Sequence, residues 1–295
     1  MIVMAEQSKI LVPVGFSEQS MLALEDAVLF AKTLQSDLVL LSVIEENSGL
    51  GKLFGDSKAR HQNLREEVHV KLEELAKATA ASSGLKVETM VAFGVVYEEI
   101  ARVAEMISAS MVVMGTNGKP SNLRKRFIGS NAYRTTCITS CPVVTIKGIE
   151  PTRKIENIIF PIVMDRKSKE KVGMALHFGR KFGARITAVA VPKVPSDVEI
   201  LQLHLKQVTQ FINDHGVKCT SDLLEPRSSG AIKHLLDFTY QKKGDVIMIM
   251  EEGAEPDLAD MLLGNDVQQV IYHSEVPVIS ITPSQTKWEA LFQNW

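Results

Sequence analysis

Lys9-Ile10-Leu11-Val12-Pro13-Val14, near the start of the chain, and Asn157-Ile158-Ile159-Phe160-Pro161-Ile162, near its middle, are two versions of one pattern. Each is a short apolar run that ends in Pro plus one apolar residue, then gives way to a polar turn and a long amphipathic stretch. A second pair closes the two segments: Thr139-Ser140-Cys141-Pro142-Val143-Val144-Thr145-Ile146 and Ser274-Glu275-Val276-Pro277-Val278-Ile279-Ser280-Ile281. Repeats of this kind decide the fold before any single element does. The chain is a duplication. Its 295 residues suit two domains of ordinary size.

Working outward from these bookends, the first copy reads as strand 9–14, helix 17–34, strand 37–43, loop 45–60 and helix 61–83. Strand 86–92, helix 96–108, strand 111–115, helix 130–138 and strand 142–146 complete it. Ser17 is the expected N-cap of the first helix, and Leu22, Ala23, Ala27, Val28, Leu29, Ala31 and Leu34 its expected buried stripe. The second copy repeats the order, with strands at 157–162, 185–191, 217–224, 245–250 and 277–281. Its helices are expected at 168–182, 197–214, 230–242 and 265–273. Strands that are apolar throughout and alternate with helices predict an α/β fold: two open parallel five-stranded Rossmann-like sheets with helices on both faces. The expected domains are 1–148 and 149–283, with a tail at 284–295. In that tail Trp288, Leu291, Phe292 and Trp295 share one helical stripe, which fits a docked tail, a partner-recognition motif or a frayed end.

Composition narrows the function classes. Hydrophobic residues make up 45% and charged residues 23%, as in ordinary globular domains. A formal net charge of −2 offers no basic field, so nucleic acid is not an expected partner. No apolar run reaches the length of a membrane span, and Met1 to Ala5 lacks the pattern of a signal peptide. Cys137, Cys141 and Cys219 form no disulfide or zinc framework, and the seven histidines are scattered. The expectation is a cytoplasmic protein with neither a metal set nor a membrane partner.

The chemistry-bearing motif follows the fourth strand of the first copy. Gly115-Thr116-Asn117-Gly118-Lys119-Pro120 leads through a basic stretch to Gly129-Ser130-Asn131, which opens the next helix. In open parallel sheets, ligands bind beyond the carboxyl ends of the strands. Glycines at 115 and 118 admit positive φ and a close phosphate approach. Gly129 and the amides of Ser130 and Asn131 lie at a helix N-terminus, which favours an anion. A tight strand-to-helix connection with a solvated basic face would use the same residues.

These residues resemble those of the universal stress proteins, whose fourth strand ends in Gly-x2-Gly-x9-Gly-Ser/Thr. Gly115, Gly118, Gly129 and Ser130 match in type and order. Ile10-Leu11-Val12-Pro13-Val14 followed by Ser17, then Val43, then Cys141-Pro142-Val143, match as well. The resemblance runs strongly over about 8–147 and more weakly over 155–283. It implies a regulatory domain that often binds ATP with magnesium and pairs through its last strand. A tandem chain would form that pair internally, and a homodimer of the whole chain is a further arrangement. On this resemblance Pro13, Val14 and Gly15 would lie beside the nucleoside and Val43 against the base. Gly115, Gly118, Gly129, Ser130 and Asn131 would surround the phosphates.

Two departures bear on ATP. Gly15 stands where ATP-binding members usually have Asp, and ten residues rather than nine separate Gly118 from Gly129. A charge-assisted hydrogen bond contributes roughly 1.5–3 kcal/mol, so its loss weakens binding about ten- to a hundredfold. The second copy departs further. Aligned on Met114 and Met250, it reads Glu251-Glu252-Gly253-Ala254-Glu255, with Asp257 beyond and Val163 at the Asp position. Like charges there would repel a triphosphate, so the second copy is expected not to bind ATP. Gly264-Asn265 would serve as a helix-entry turn and Asp165 as an N-cap.

Three function classes are therefore in play. A stress-response regulator with nucleotide in the first copy leads. A scaffold or ligand-binding protein without nucleotide is the alternative. An enzyme is disfavoured, because no paired acid and base, nucleophile elbow or Walker-type loop is present, and no catalytic residue is assigned.

Overall fold

The computed structural model describes residues 8–45, 57–116, 130–162, 168–192, 194–226, 230–250 and 266–281. The chain divides into two compact units, Met1–Pro151 and Thr152–Trp295.

In the first unit the strands are β1 (Lys9–Pro13), β2 (Asp37–Ile44), β3 (Val87–Phe93), β4 (Met111–Gly115) and β5 (Val143–Ile146). Its helices are α1 (Glu18–Leu34), α2 (Ser57–Ser83), α3 (Val96–Met106) and α4 (Ser130–Ile138). The order across the sheet is β3-β2-β1-β4-β5, and every described pairing is parallel. Central β1 and β4 bury their interior residues and leave only end residues half-buried, whereas edge strand β3 is half-buried along most of its length. That difference follows from position, since only central strands have helices and neighbouring strands on all sides. Leu11, Val39, Leu41, Val112 and Met114 share one core with Ile100 and Val103 of α3. Each such fully buried side chain contributes about 1.5–3 kcal/mol.

The second unit repeats the plan with β6 (Asn157–Pro161), β7 (Arg185–Ala190), β8 (Cys219–Leu223), β9 (Val246–Met250) and β10 (Val278–Ile281). Helices α5 (Ser168–Phe182), α6 (Val198–Asp214), α7 (Ala231–Gln241) and α8 (Asp266–His273) alternate with them, and a short 3-10 turn at Pro195–Asp197 precedes α6. Its order, β8-β7-β6-β9-β10, reproduces that of the first unit strand for strand, again with parallel pairing. The duplicated Rossmann-like fold expected from the bookends is thus present in both halves.

Local differences from the sequence reading have physical causes. Helix α2 begins at Ser57, earlier than the expected 61, so part of the charged stretch read as loop is helical. Helix α1 is capped by Ser17, whose hydroxyl accepts from the Ser20 amide while Ser20 Oγ accepts from the Ser17 amide. Its buried face is Ala23, Leu24, Ala27, Phe30 and Ala31, whereas Leu22, Val28, Leu29 and Leu34 are only half-buried. Residues 23, 24, 27, 30 and 31 keep the three- and four-residue spacing of one helix face, and the larger flanking side chains cover its margins. Cys137, Cys141 and Cys219 are buried and take part in no disulfide. Among the described residues no cluster of His, Cys, Asp or Glu could hold a metal, and no helix is long and apolar enough to cross a membrane. The tail stripe of Trp288, Leu291, Phe292 and Trp295 lies outside the described residues.

Candidate functional site

In the first unit β1 sits between β2 and β4, and the helices after β1 and β4 are sent to opposite faces. A crevice opens at the carboxyl ends of these strands, the position that sheet topology reserves for ligands. Here a cleft of about 350 Å³ is present. It brings together Pro13, Val14 and Gly15 from the end of β1, Val43 from β2, Gly115 from β4 and Asn131 from the first turn of α4. Ser130 opens α4, while Gly118 and Gly129 lie outside the described residues.

The floor of the cleft is apolar. Leu41, Val43, Val96, Ile100 and Met114 line it, all buried or half-buried. Sequence reading singled out only Val43 among them. Val96 and Ile100 are one helical turn apart at the start of α3, and their shared face becomes meaningful only when β4 brings Met114 beside them. The polar rim includes Thr116, Asn131 and Glu45, the sole carboxylate among the described lining residues. At the α4 end, the first-turn amides have no partners within the helix and form the positive end of its dipole.

The β1–α1 turn is tightly specified. Val14 N–H donates to the Leu41 carbonyl at 2.7 Å, extending the β1–β2 ladder past Pro13. Gly15 is exposed and does not have positive φ, and a Cβ built on it meets nothing within 4 Å. Phe16 takes the left-handed region at φ 56°, and the Ser17–Ser20 capping box follows at once. A left-handed bulky residue is costly, so the cap and the ladder hold this turn in place.

Gly115 does not take the positive φ that its sequence suggested, and close packing is a second reason for a glycine there. A Cβ at this position would lie 2.7 Å from the backbone oxygen of Gln19. The glycine is required because α1 passes directly against the end of β4. Gln19 also donates from Nε2 to the carbonyls of Lys147 and Gly148, tying the start of α1 to the chain beyond β5. Thr116 continues the β4 ladder, its N–H donating to the Ile146 carbonyl at 2.9 Å.

The second unit differs at the same register. Pairing of Val112 with Val143 and of Ile247 with Val278 makes Met250 the counterpart of Gly115 and Ile249 that of Met114. The alignment of Met114 with Met250 is therefore one residue out of step, because strand pairing and not side-chain identity sets equivalence. The second unit thus carries a methionine at the position where the first unit has no side chain. Val163, Asp165, Glu251, Glu252, Gly253, Ala254, Glu255, Asp257, Gly264 and Asn265 lie outside the described residues.

Comparison with known proteins agrees with this architecture. Residues 7–147 match the model of the universal stress protein family. Universal stress protein YxiE of Bacillus subtilis is 31% identical over 147 residues, covering 48% of this chain and 99% of its own length. The chain belongs to the universal stress protein family. Universal stress protein MJ0577 of Methanocaldococcus jannaschii is 29% identical over 154 residues, which is 47% of this chain and 94% of that protein. These single-domain relatives account for one half of the chain, as a tandem member of the family requires. A universal stress protein from Archaeoglobus fulgidus superposes over 95% of this chain and 97% of its own with a TM-score of 0.78. At 20% identity that likeness is one of fold.

Proposed function

We propose that this tandem universal stress protein is a cytoplasmic stress-response regulator, not an enzyme, that holds ATP with magnesium in the first unit only. The observation that carries the reading is the cleft at the carboxyl ends of β1, β2 and β4, with an apolar floor at one side and the α4 N-terminus at the other. Its volume of about 350 Å³ falls in the range of small-molecule pockets. Leu41, Val43, Val96 and Ile100 suit the flat face of a nucleobase, with Pro13, Val14 and Gly15 beside the nucleoside. Gly115, Gly118, Gly129, Ser130 and Asn131 take the phosphates at the helix N-terminus. Magnesium would be carried chiefly by the phosphates themselves, as is usual for this ion. The described lining residues supply no acid–base pair, which favours binding over catalysis.

Gly15 favours a second reading, in which the apolar floor takes a small ligand other than a nucleotide. The two are separated by isothermal titration of ATP into the wild type and Gly118→Glu, which sets a carboxylate in the glycine loop. Saturable heat in the wild type that is lost in the variant is the expected result. Absence of saturable heat at millimolar nucleotide in both proteins would leave the second reading standing.

A further inference from the structure

The opposite end of the second unit's sheet, where its strands begin, holds a second cleft of about 570 Å³. Lys154, Arg180, Arg185 and Lys218 border it, against one lining carboxylate, Glu156. Strand register identifies the matching positions in the first unit. Lys9 pairs with Asp37 in β1–β2, and Asn157 pairs with Arg185 in β6–β7. Likewise Leu38 N–H donates to the Lys86 carbonyl and Ile186 N–H to the Lys218 carbonyl, so Lys86 and Lys218 are counterparts. Glu88 and Thr220 follow as counterparts from the same ladders.

In the first unit this edge is neutralised. Glu88 pairs with Lys9 at 3.1 Å and with Lys86 at 2.6 Å, and Asp37 lies 3.8 Å from Lys86. In the second unit Arg185 replaces Asp37, Thr220 replaces Glu88 and Asn157 replaces Lys9, so both carboxylates are gone while two cations, Arg185 and Lys218, remain at these positions. The carboxylates that remain nearby are engaged. Glu156 pairs with Lys154 at 2.5 Å, and Asp245 Oδ2 accepts from the amides of Glu156 and Asn157 at 2.7 and 2.8 Å. The Arg180 guanidinium is anchored by donation to the His215 carbonyl at 2.6 Å. Gly183 and Gly216, at φ 62° and 81°, turn the chain at the cleft without side chains to fill it.

We propose that this edge binds a small polyanion carrying adjacent phosphate groups. The Arg185 guanidinium and the Lys218 ammonium match phosphate oxygens in charge and donor type, and Arg180 and Lys154 add positive charge beside them. The chain's net charge of −2 and the local extent of the cleft favour a small anion over a long nucleic acid. This site does not depend on the nucleotide reading, since it lies in the other unit and at the other end of the strands.

The test is a titration of the full-length protein with inorganic triphosphate at low salt, followed by backbone amide chemical shifts. Saturable shifts at Gly183, Arg185, Gly216 and Lys218 are expected. The double substitution Arg185→Asp, Lys218→Gln should weaken them by about tenfold or more, equivalent to about 1.4 kcal/mol. The melting temperature checks that the variant is folded, and the milder Arg185→Gln, which should still weaken binding measurably, replaces it if it is not. No shift at millimolar triphosphate, shifts confined to the Gly15–Asn131 cleft, or shifts undiminished by the folded variant would each overturn the proposal.

Discussion

The two units have the same strand order and the same register, yet they differ at both ends of the sheet. At the carboxyl end the first unit has Gly115 where the second has Met250. At the amino end the first unit has Asp37 and Glu88 where the second has Arg185 and Thr220. The apolar strand interiors between these ends are nearly interchangeable, with central β1 and β6 both buried. A duplicated fold is held by its strand interiors, so the strand ends are where two copies can diverge without loss of the core.

The strongest way to break this comparison is to move a residue from one unit to the other. Gly115→Met places in the first unit what the second carries, and its Cβ meets the Gln19 backbone, which cannot rotate away. Overpacking of this kind costs about 3 kcal/mol. Thermal unfolding should show a fall of roughly 6–12 °C, at about 2–4 °C per kcal/mol for a protein of this size class. The reciprocal Met250→Gly should be milder, since it removes a half-buried side chain without a clash.

Gly15→Asp sharpens the comparison at the ligand. The position is exposed, its φ is not positive, and its Cβ direction is open, so the substitution fits without strain. Restoring a charge-assisted contact should tighten ATP about ten- to a hundredfold, read by calorimetry. Unchanged affinity would mean that the nucleoside does not sit beside the end of β1.

Ser17→Ala tests the turn that shapes the cleft. It removes the acceptor for the Ser20 amide and should cost about 1 kcal/mol in chemical denaturation. A loss of ATP affinity larger than the loss of stability would show that the capped turn itself positions ligand.

The smallest effect expected is electrostatic. Lys86 and Lys9, through hydrogen bonds and charge, hold the Glu88 carboxyl below the usual carboxylate range. A lowered folded-state pKa adds stability above the unfolded value and loses it as pH falls through the folded one. Glu88→Gln should therefore lower stability modestly at neutral pH and flatten the acid limb below about pH 4.5, where the wild type has already begun to lose that contribution. At Thr220, the matching position, no such limb should respond to substitution.

How far the sequence anticipates this picture depends on the kind of residue. Element boundaries such as Ser130–Ile138 and Ser168–Phe182 are legible because caps and periodicity are local. The Ser17 cap is legible for the same reason. The apolar floor of the cleft is not, since Leu41, Val96 and Met114 meet only after β1 is inserted between β2 and β4. Gly115 is visible as a motif glycine, but its contact with Gln19 lies across a helix–strand crossing that no spacing rule reports. The equivalence of Asp37 with Arg185, and the one-residue slip between Met114 and Met250, emerge only from ladder register.

The central claim, that of the two carboxyl-end crevices only that of the first unit holds nucleotide, is tested most directly by amide chemical-shift mapping of the full-length protein with ATP and magnesium. The account predicts saturable shifts at Gly15, Val43, Thr116 and Asn131, with tighter saturation in Gly15→Asp. Shifts of equal size and affinity at Ile162, Val191 and Met250, the register counterparts of Val14, Val43 and Gly115, or no saturable shift in the first unit, would contradict it.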